Sequence, residues 1–165
     1  MVAACQHDHS GHGLTAPEVD RALATIEAAC IAEGERMTAP RRRVLELLLS
    51  AGEPVKAYDL IARYGLDGQA AKPPTVYRAL EFLERRGVVH RIASISAYVA
   101  CSAHDDEVGS HAAAFLICDC CGATAEVAIP SSSLGIDVAA SAVGYEIERT
   151  TIEGHGRCAN CKVAA

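Results

Sequence analysis

The chain has 165 residues, a formal net charge of -6, half of its residues apolar, eight Cys, no Trp and only two Phe, which allows one compact body or two small modules and excludes a large aromatic core. No stretch approaches the roughly 20 apolar residues of a membrane span, and the polar start MVAACQHDHSGHG lacks the apolar run of a signal peptide, so a cytoplasmic protein without a membrane partner is expected. Cysteines stay reduced there, and paired spacings read first as metal ligands.

Residues 1–13, with Cys5, His7, His9 and His12, read as a polar, flexible tail. A helix is expected to start near Leu14 to Pro17, where Thr15 caps and Pro17 suits a first turn; Val19, Leu23, Ile26 and Cys30 repeat at helical spacing and Gly34 closes it. The second helix has Thr38 as cap, Pro40 in its first turn, and Val44, Leu45, Leu48 and Leu49 on one face, with Arg41, Arg42 and Arg43 expected to be exposed and Gly52 as stop. A short element over 55–64 turns Leu60 and Ile61 inward. Beyond a Gly- and Pro-containing loop, a helix is expected over 75–86, with Val76, Ala79, Leu80 and Leu83 inward and Thr75, Tyr77, Arg78, Glu81 and Arg85 outward. Two strand-like runs, 88–92 and 97–101, then form a hairpin. Three helices followed by a hairpin is the order of a winged helix-turn-helix DNA-binding domain.

After Cys101 the composition changes. Residues 102–111 read as a hinge, 112–117 and 123–129 as strands, 131–143 as a helix opened by Pro130, and 145–153 as a last strand with Tyr145, Ile147 and Ile152 as its apolar members. The fold class expected is α+β: a winged helix over 14–101 and a small α/β dimerisation domain over 112–165. The second domain has few bulky residues and needs metal or a partner to hold together. Charge divides the same way. Residues 36–91 carry eleven Arg or Lys against six Asp or Glu, a balance of +5, whereas 93–165 carry three against nine, a balance of -6. One half is suited to phosphates and the other is not.

Cys118-x-x-Cys121 and Cys158-x-x-Cys161 lie 37 residues apart. Each knuckle brings two thiolates to one ion, and four thiolates make the closed tetrahedral shell of structural zinc, with no open position for hydrolysis. Cys120, between the ligands of the first knuckle, is expected to point away. A second donor set, His90, Cys101, His111 and Glu126, offers N, S, N and O atoms, but spacing alone does not separate it from His104, Asp105, Asp106, Glu107 or His155.

The stretches MTAPRRRVLELLLSAGEPVKAYDLI and PPTVYRALEFLERRGVVHRI, with the two Cys-x-x-Cys pairs, resemble the ferric-uptake-regulator family. The runs HRIASISAYVAC and HAAAFLICDCCGATAE are similar to its zinc-uptake-regulator branch. The likeness spans about residues 14–161. It implies a homodimer built through the C-terminal domain and a third core helix, beginning at Pro74 and Thr75, that enters the major groove. It also implies two zinc ions per subunit: a structural one at the knuckle cysteines, and a regulatory one whose ligands match His90, Cys101, His111 and Glu126. The function implied is a zinc-responsive repressor, not an enzyme, acting on inverted-repeat operators of zinc-uptake genes; the alternative is an iron, manganese or peroxide sensor of the same family. SAHDDEVGSHAAAF lacks the His-rich run usual in the iron and peroxide branches, and Cys101 is a soft ligand that favours zinc. On this reading Tyr77 and Arg78 sit nearest the bases, with Thr75 at the helix entry, and Arg41, Arg42, Arg43, Lys72, Arg85, Arg86 and Arg91 are candidates for backbone contact.

Overall fold

The computed structural model describes residues 13–65, 71–101, 112–129, 135–147 and 150–162. The His-containing tail 1–12, the hinge 102–111 and the expected helix opening at Pro130 to Ser133 lie outside these residues. Two compact units divide the described chain, one within residues 13–101 and the other within 112–162.

In the first unit, α1 (Ala16–Ala32) begins at a capping box in which Thr15 and Glu18 satisfy each other's free donors. Its stripe Val19, Leu23, Ile26 and Cys30 is buried. α2 (Ala39–Ala51) buries Val44, Leu45, Leu48 and Leu49, and Gly52 ends it at φ 61°, a left-handed turn that glycine adopts without strain. α3 (Ala57–Tyr64) follows a two-residue strand β1 (Val55–Lys56). α4 (Pro73–Arg85) starts two residues earlier than expected, because both prolines occupy its first turn, where a missing N–H costs nothing. The inward face of α4 includes, besides the expected Val76, Ala79, Leu80 and Leu83, Phe82, which is 3% exposed. β2 (Val89–Ile92) and β3 (Ala97–Ala100) form the hairpin, joined by a turn ending at Ser96 (φ 52°). β1 adds to the free edge of β3, giving sheet order β1-β3-β2. This third strand is too short for a periodicity signal. Each buried Leu, Val or Phe here contributes about 1.5–3 kcal/mol.

In the second unit, β4 (Ala112–Cys118) is central. β5 (Thr124–Ile129) pairs antiparallel with it and β6 (Thr151–Gly156) parallel, in the order β5-β4-β6. α5 (Ile136–Ala142) and a one-turn α6 (Ala159–Lys162) are its described helices. The last strand therefore lies later than the expected 145–153. Tyr145 is 73% exposed, and the strand runs through Gly154 and Gly156. At Gly154 an added Cβ would lie 3.1 Å from Leu116 Cδ2, so close approach to β4, rather than alternating apolar side chains, selects this segment. Among the residues of this unit whose burial is described, Ala114, Phe115, Ile117, Cys118 and Cys161 are buried. Among the described residues no helix is long and apolar enough to cross a membrane.

Candidate metal centres and nucleic-acid interface

Cys118 is the last residue of β4, and Cys121 follows in a turn closed by the Gly122 N–H on the Cys118 carbonyl (2.8 Å), with Gly122 at φ 78°. Cys158 follows β6, and Cys161 lies on α6. Because β4 and β6 are parallel and in register, Cys118 opposite Gly156, the two knuckles leave the sheet side by side. The Asp119 N–H donates to the Gly156 carbonyl (2.8 Å) and the Cys158 N–H to Cys118 Sγ (3.3 Å). His155 Nδ1 and Asp119 Oδ1, 3.0 Å apart, add a side-chain link between β6 and the first knuckle.

All four sulfurs lie within 4.8 Å of one another, with Cys121 Sγ and Cys158 Sγ 3.8 Å apart. A tetrahedron of Zn–S bonds of about 2.3 Å has edges of about 3.8 Å, so the cage has the size of a thiolate-bound zinc. The N–H groups of Cys158, Cys121 and Cys120 hold the Cys118 thiol down to about 6, well below the ordinary cysteine value, and favour the ligating thiolate. Cys120 is exposed and is not part of the convergent set.

Of the second donor set, His90 lies on β2 opposite Val99, and Cys101 lies one residue past β3 with its N–H on the Val88 carbonyl (3.0 Å). The hairpin thus brings an imidazole nitrogen of half-buried His90 and the buried Cys101 Sγ within 4.8 Å of each other. Glu126 is half-buried on β5, opposite Phe115, in the second unit. His111, His104, Asp105, Asp106 and Glu107 lie outside the described residues.

Along α4, Tyr77 is 51% exposed, Arg78 is exposed and Thr75 is half-buried; Lys72 just before the helix and Arg91 on β2 are exposed. The three arginines opening α2 are half-buried rather than exposed, because each has a partner within the unit. Arg41 stacks its guanidinium 3.4 Å from the Phe82 ring centroid. Arg42 pairs with Glu27 (3.1 Å), and Arg43 pairs with Glu46 (2.9 Å) and donates to the Tyr64 carbonyl (3.3 Å). Arg85 and Arg86 reach Glu35 and Glu33. An aromatic missed by the sequence reading is Tyr58, 79% exposed on α3. The signal was available: with Ala57 and Leu60 turned inward, position 58 faces outward.

Residues 32–161 match the Ferric uptake regulator family. The chain belongs to this family. It is 37% identical over 139 residues to the Zinc uptake regulation protein of Escherichia coli (strain K12), covering 84% of this chain and 80% of that protein. A solved zinc uptake regulator complexed with zinc and DNA aligns at a TM-score of 0.77 with 35% identity, over 92% of this chain and 98% of the other. The crystal structure of holo XcZur aligns at 0.70 with 40% identity, over 87% and 97%. The ferric uptake regulator match takes in α2, α3, α4, the hairpin and both knuckles, and begins at the last residue of α1.

Proposed function

We propose that this protein is a zinc-responsive transcriptional repressor of the cytoplasm. As a homodimer it binds inverted-repeat operators of zinc-uptake genes when zinc is plentiful and releases them when zinc is scarce. The observation that carries this reading is the likeness, across 92% of the chain, to a zinc uptake regulator complexed with zinc and DNA. The convergent thiolates and the two mixed donors on the hairpin support it from this chain's own residues.

Two zinc ions per subunit are assigned. Cys118, Cys121, Cys158 and Cys161 hold the structural one, as a closed site. His90, Cys101, His111 and Glu126 hold the regulatory one, and its soft sulfur donor favours zinc over iron or manganese. Zinc supplies ligation without redox chemistry. His90 and Cys101 sit at the base of the wing, so ligation shared with His111 and Glu126 ties the reading domain to the dimerisation domain and sets the spacing of two reading heads. By linkage, donors that hold the ion more tightly in the DNA-competent geometry raise DNA affinity by the same factor, and a coupling of about 3 kcal/mol corresponds to roughly 150-fold.

In this arrangement α4 enters the major groove. Tyr77 and Arg78 read base edges, Thr75, Lys72 and Arg91 place the helix on the backbone, and exposed Tyr58 on α3 is a further contact. The test is a gel-shift titration against an inverted-repeat duplex with free zinc, iron and manganese buffered separately. Zinc alone should raise affinity at low free concentration. A protein whose operator affinity ignored zinc would refute the reading.

A further inference from the structure

Arg86 closes α4 as its C-cap, and Glu33 closes α1 in the same role. Their side chains meet: both terminal nitrogens of Arg86 engage the two carboxylate oxygens of Glu33, with the Nη2 to Oε1 bond at 2.7 Å. A second carboxylate, Glu35, lies 3.8 Å from Arg86 Nε and 3.4 Å from Arg85 Nη2. The Arg86 side chain is only 13% exposed, whereas that of Arg85 is 60% exposed. One turn back, Phe82 is buried, with the Arg41 guanidinium stacked on its ring. A planar guanidinium whose two terminal nitrogens are both committed to Glu33, with Glu35 beside its Nε and most of its surface withdrawn from solvent, is poorly placed to reach a phosphate.

We infer that Arg86 is a positioning residue: its two-pronged pair with Glu33 fastens the end of α4 to the end of α1, and so sets operator affinity without touching DNA. The inference rests on the repressor reading, in which α4 is the helix that reads the operator. A helix inserted in the groove by its N-terminal half needs its other end anchored to the protein. If that end is released, α4 samples orientations that do not fit, and affinity drops by the fraction of time it spends in them. The withdrawn guanidinium and its acidic partners distinguish Arg86 from Lys72, Arg78 and Arg91, which are exposed.

The two roles make opposite forecasts for Glu33. If Arg86 met phosphate, Glu33→Gln would remove a competing negative charge and tighten DNA binding. As a clamp, Glu33→Gln and Arg86→Met should each weaken the zinc-loaded protein for its operator by about tenfold. The slope of log affinity against log salt should stay at the parent value, since no phosphate contact is lost. The exchanged pair, Glu33→Arg with Arg86→Glu, should recover most of the loss. Glu33→Gln binding at least as tightly as the parent, or Arg86→Met lowering the salt slope by about one, would overturn the inference. Urea unfolding of the same variants guards the result: the two single changes should be non-additive, and strict additivity rejects the cap-to-cap link. A parent protein with no zinc-dependent operator binding would sink the repressor reading instead, while the unfolding cycle still judges the clamp.

Discussion

The two units reach stability by different routes. The first packs Leu23, Leu45, Leu48, Leu60, Leu80 and Leu83, all 2% exposed or less, into a continuous core under four helices and a hairpin. Within its described residues the second has three strands and two short helices, and the side chains of α5 bury nothing there: Ile136 and Val138 on the helix, and Val143 and Tyr145 just after it, are exposed. What it has instead is a cage of four sulfurs beside a sheet whose parallel pair feeds both knuckles. An apolar core tolerates the loss of one contact, but a cage that closes a sparse fold does not.

The largest effect is therefore expected at the cage. Cys118→Ser or Cys158→Ser should abolish the tightly held zinc and with it the folded dimer, because metal binding in such a unit supplies folding energy on the order of 10 kcal/mol. Sedimentation and zinc content of the purified variants check this; a zinc-replete Cys118→Ser dimer would show that the second unit does not depend on the cage. The counterpart in the first unit is Leu48→Ala, which should cost about 2–5 kcal/mol by opening a cavity. Thermal unfolding should fall while the structural zinc stays bound, and simultaneous loss of zinc would break the separation between the units.

Smaller, and confined to regulation, is Cys101→Ala. It should leave fold, dimer mass and structural zinc intact and remove one exchangeable zinc per subunit. The roughly 150-fold zinc-dependent gain in operator affinity should vanish with it, as it should for His90→Ala. Buffered free-zinc titrations measure this, and a retained gain would move the sensor to His104, Asp105 to Glu107 or the N-terminal histidines. Arg78→Ala should cost about 1–3 kcal/mol on operator but not on scrambled duplex; equal losses on both would assign Arg78 to phosphate.

The smallest effect is at the start of α1. The Thr15 hydroxyl and backbone N–H hold the Glu18 carboxyl below its ordinary value of 4.5. A lowered folded-state value contributes stability that is fully present above the ordinary value and is lost as pH falls through the lowered one. Urea midpoints of the parent should therefore decline across that acidic window, and Glu18→Gln should flatten this part of the decline without changing neutral-pH zinc binding.

Much of this was legible in the chain itself. Helical spacing identified the buried faces of α1 and α2, and two Cys-x-x-Cys pairs announced the cage, because period and ligand spacing are local properties. The second donor set was not legible by spacing: His90 and Cys101 are eleven positions apart, and only the antiparallel hairpin brings them within 4.8 Å. Tertiary structure also decided the last strand, where Gly154 packs against Leu116 although residues 145–153 alternate better. It decided the arginines as well. Sequence marks Arg41, Arg42, Arg43, Arg85 and Arg86 as one basic population, whereas the fold gives Arg86 to Glu33, Arg42 to Glu27, Arg43 to Glu46 and Arg41 to the face of Phe82. A charge is written in the residue, but whether it is available to a partner depends on which carboxylate or ring the fold brings beside it, over separations such as the 53 residues between Glu33 and Arg86.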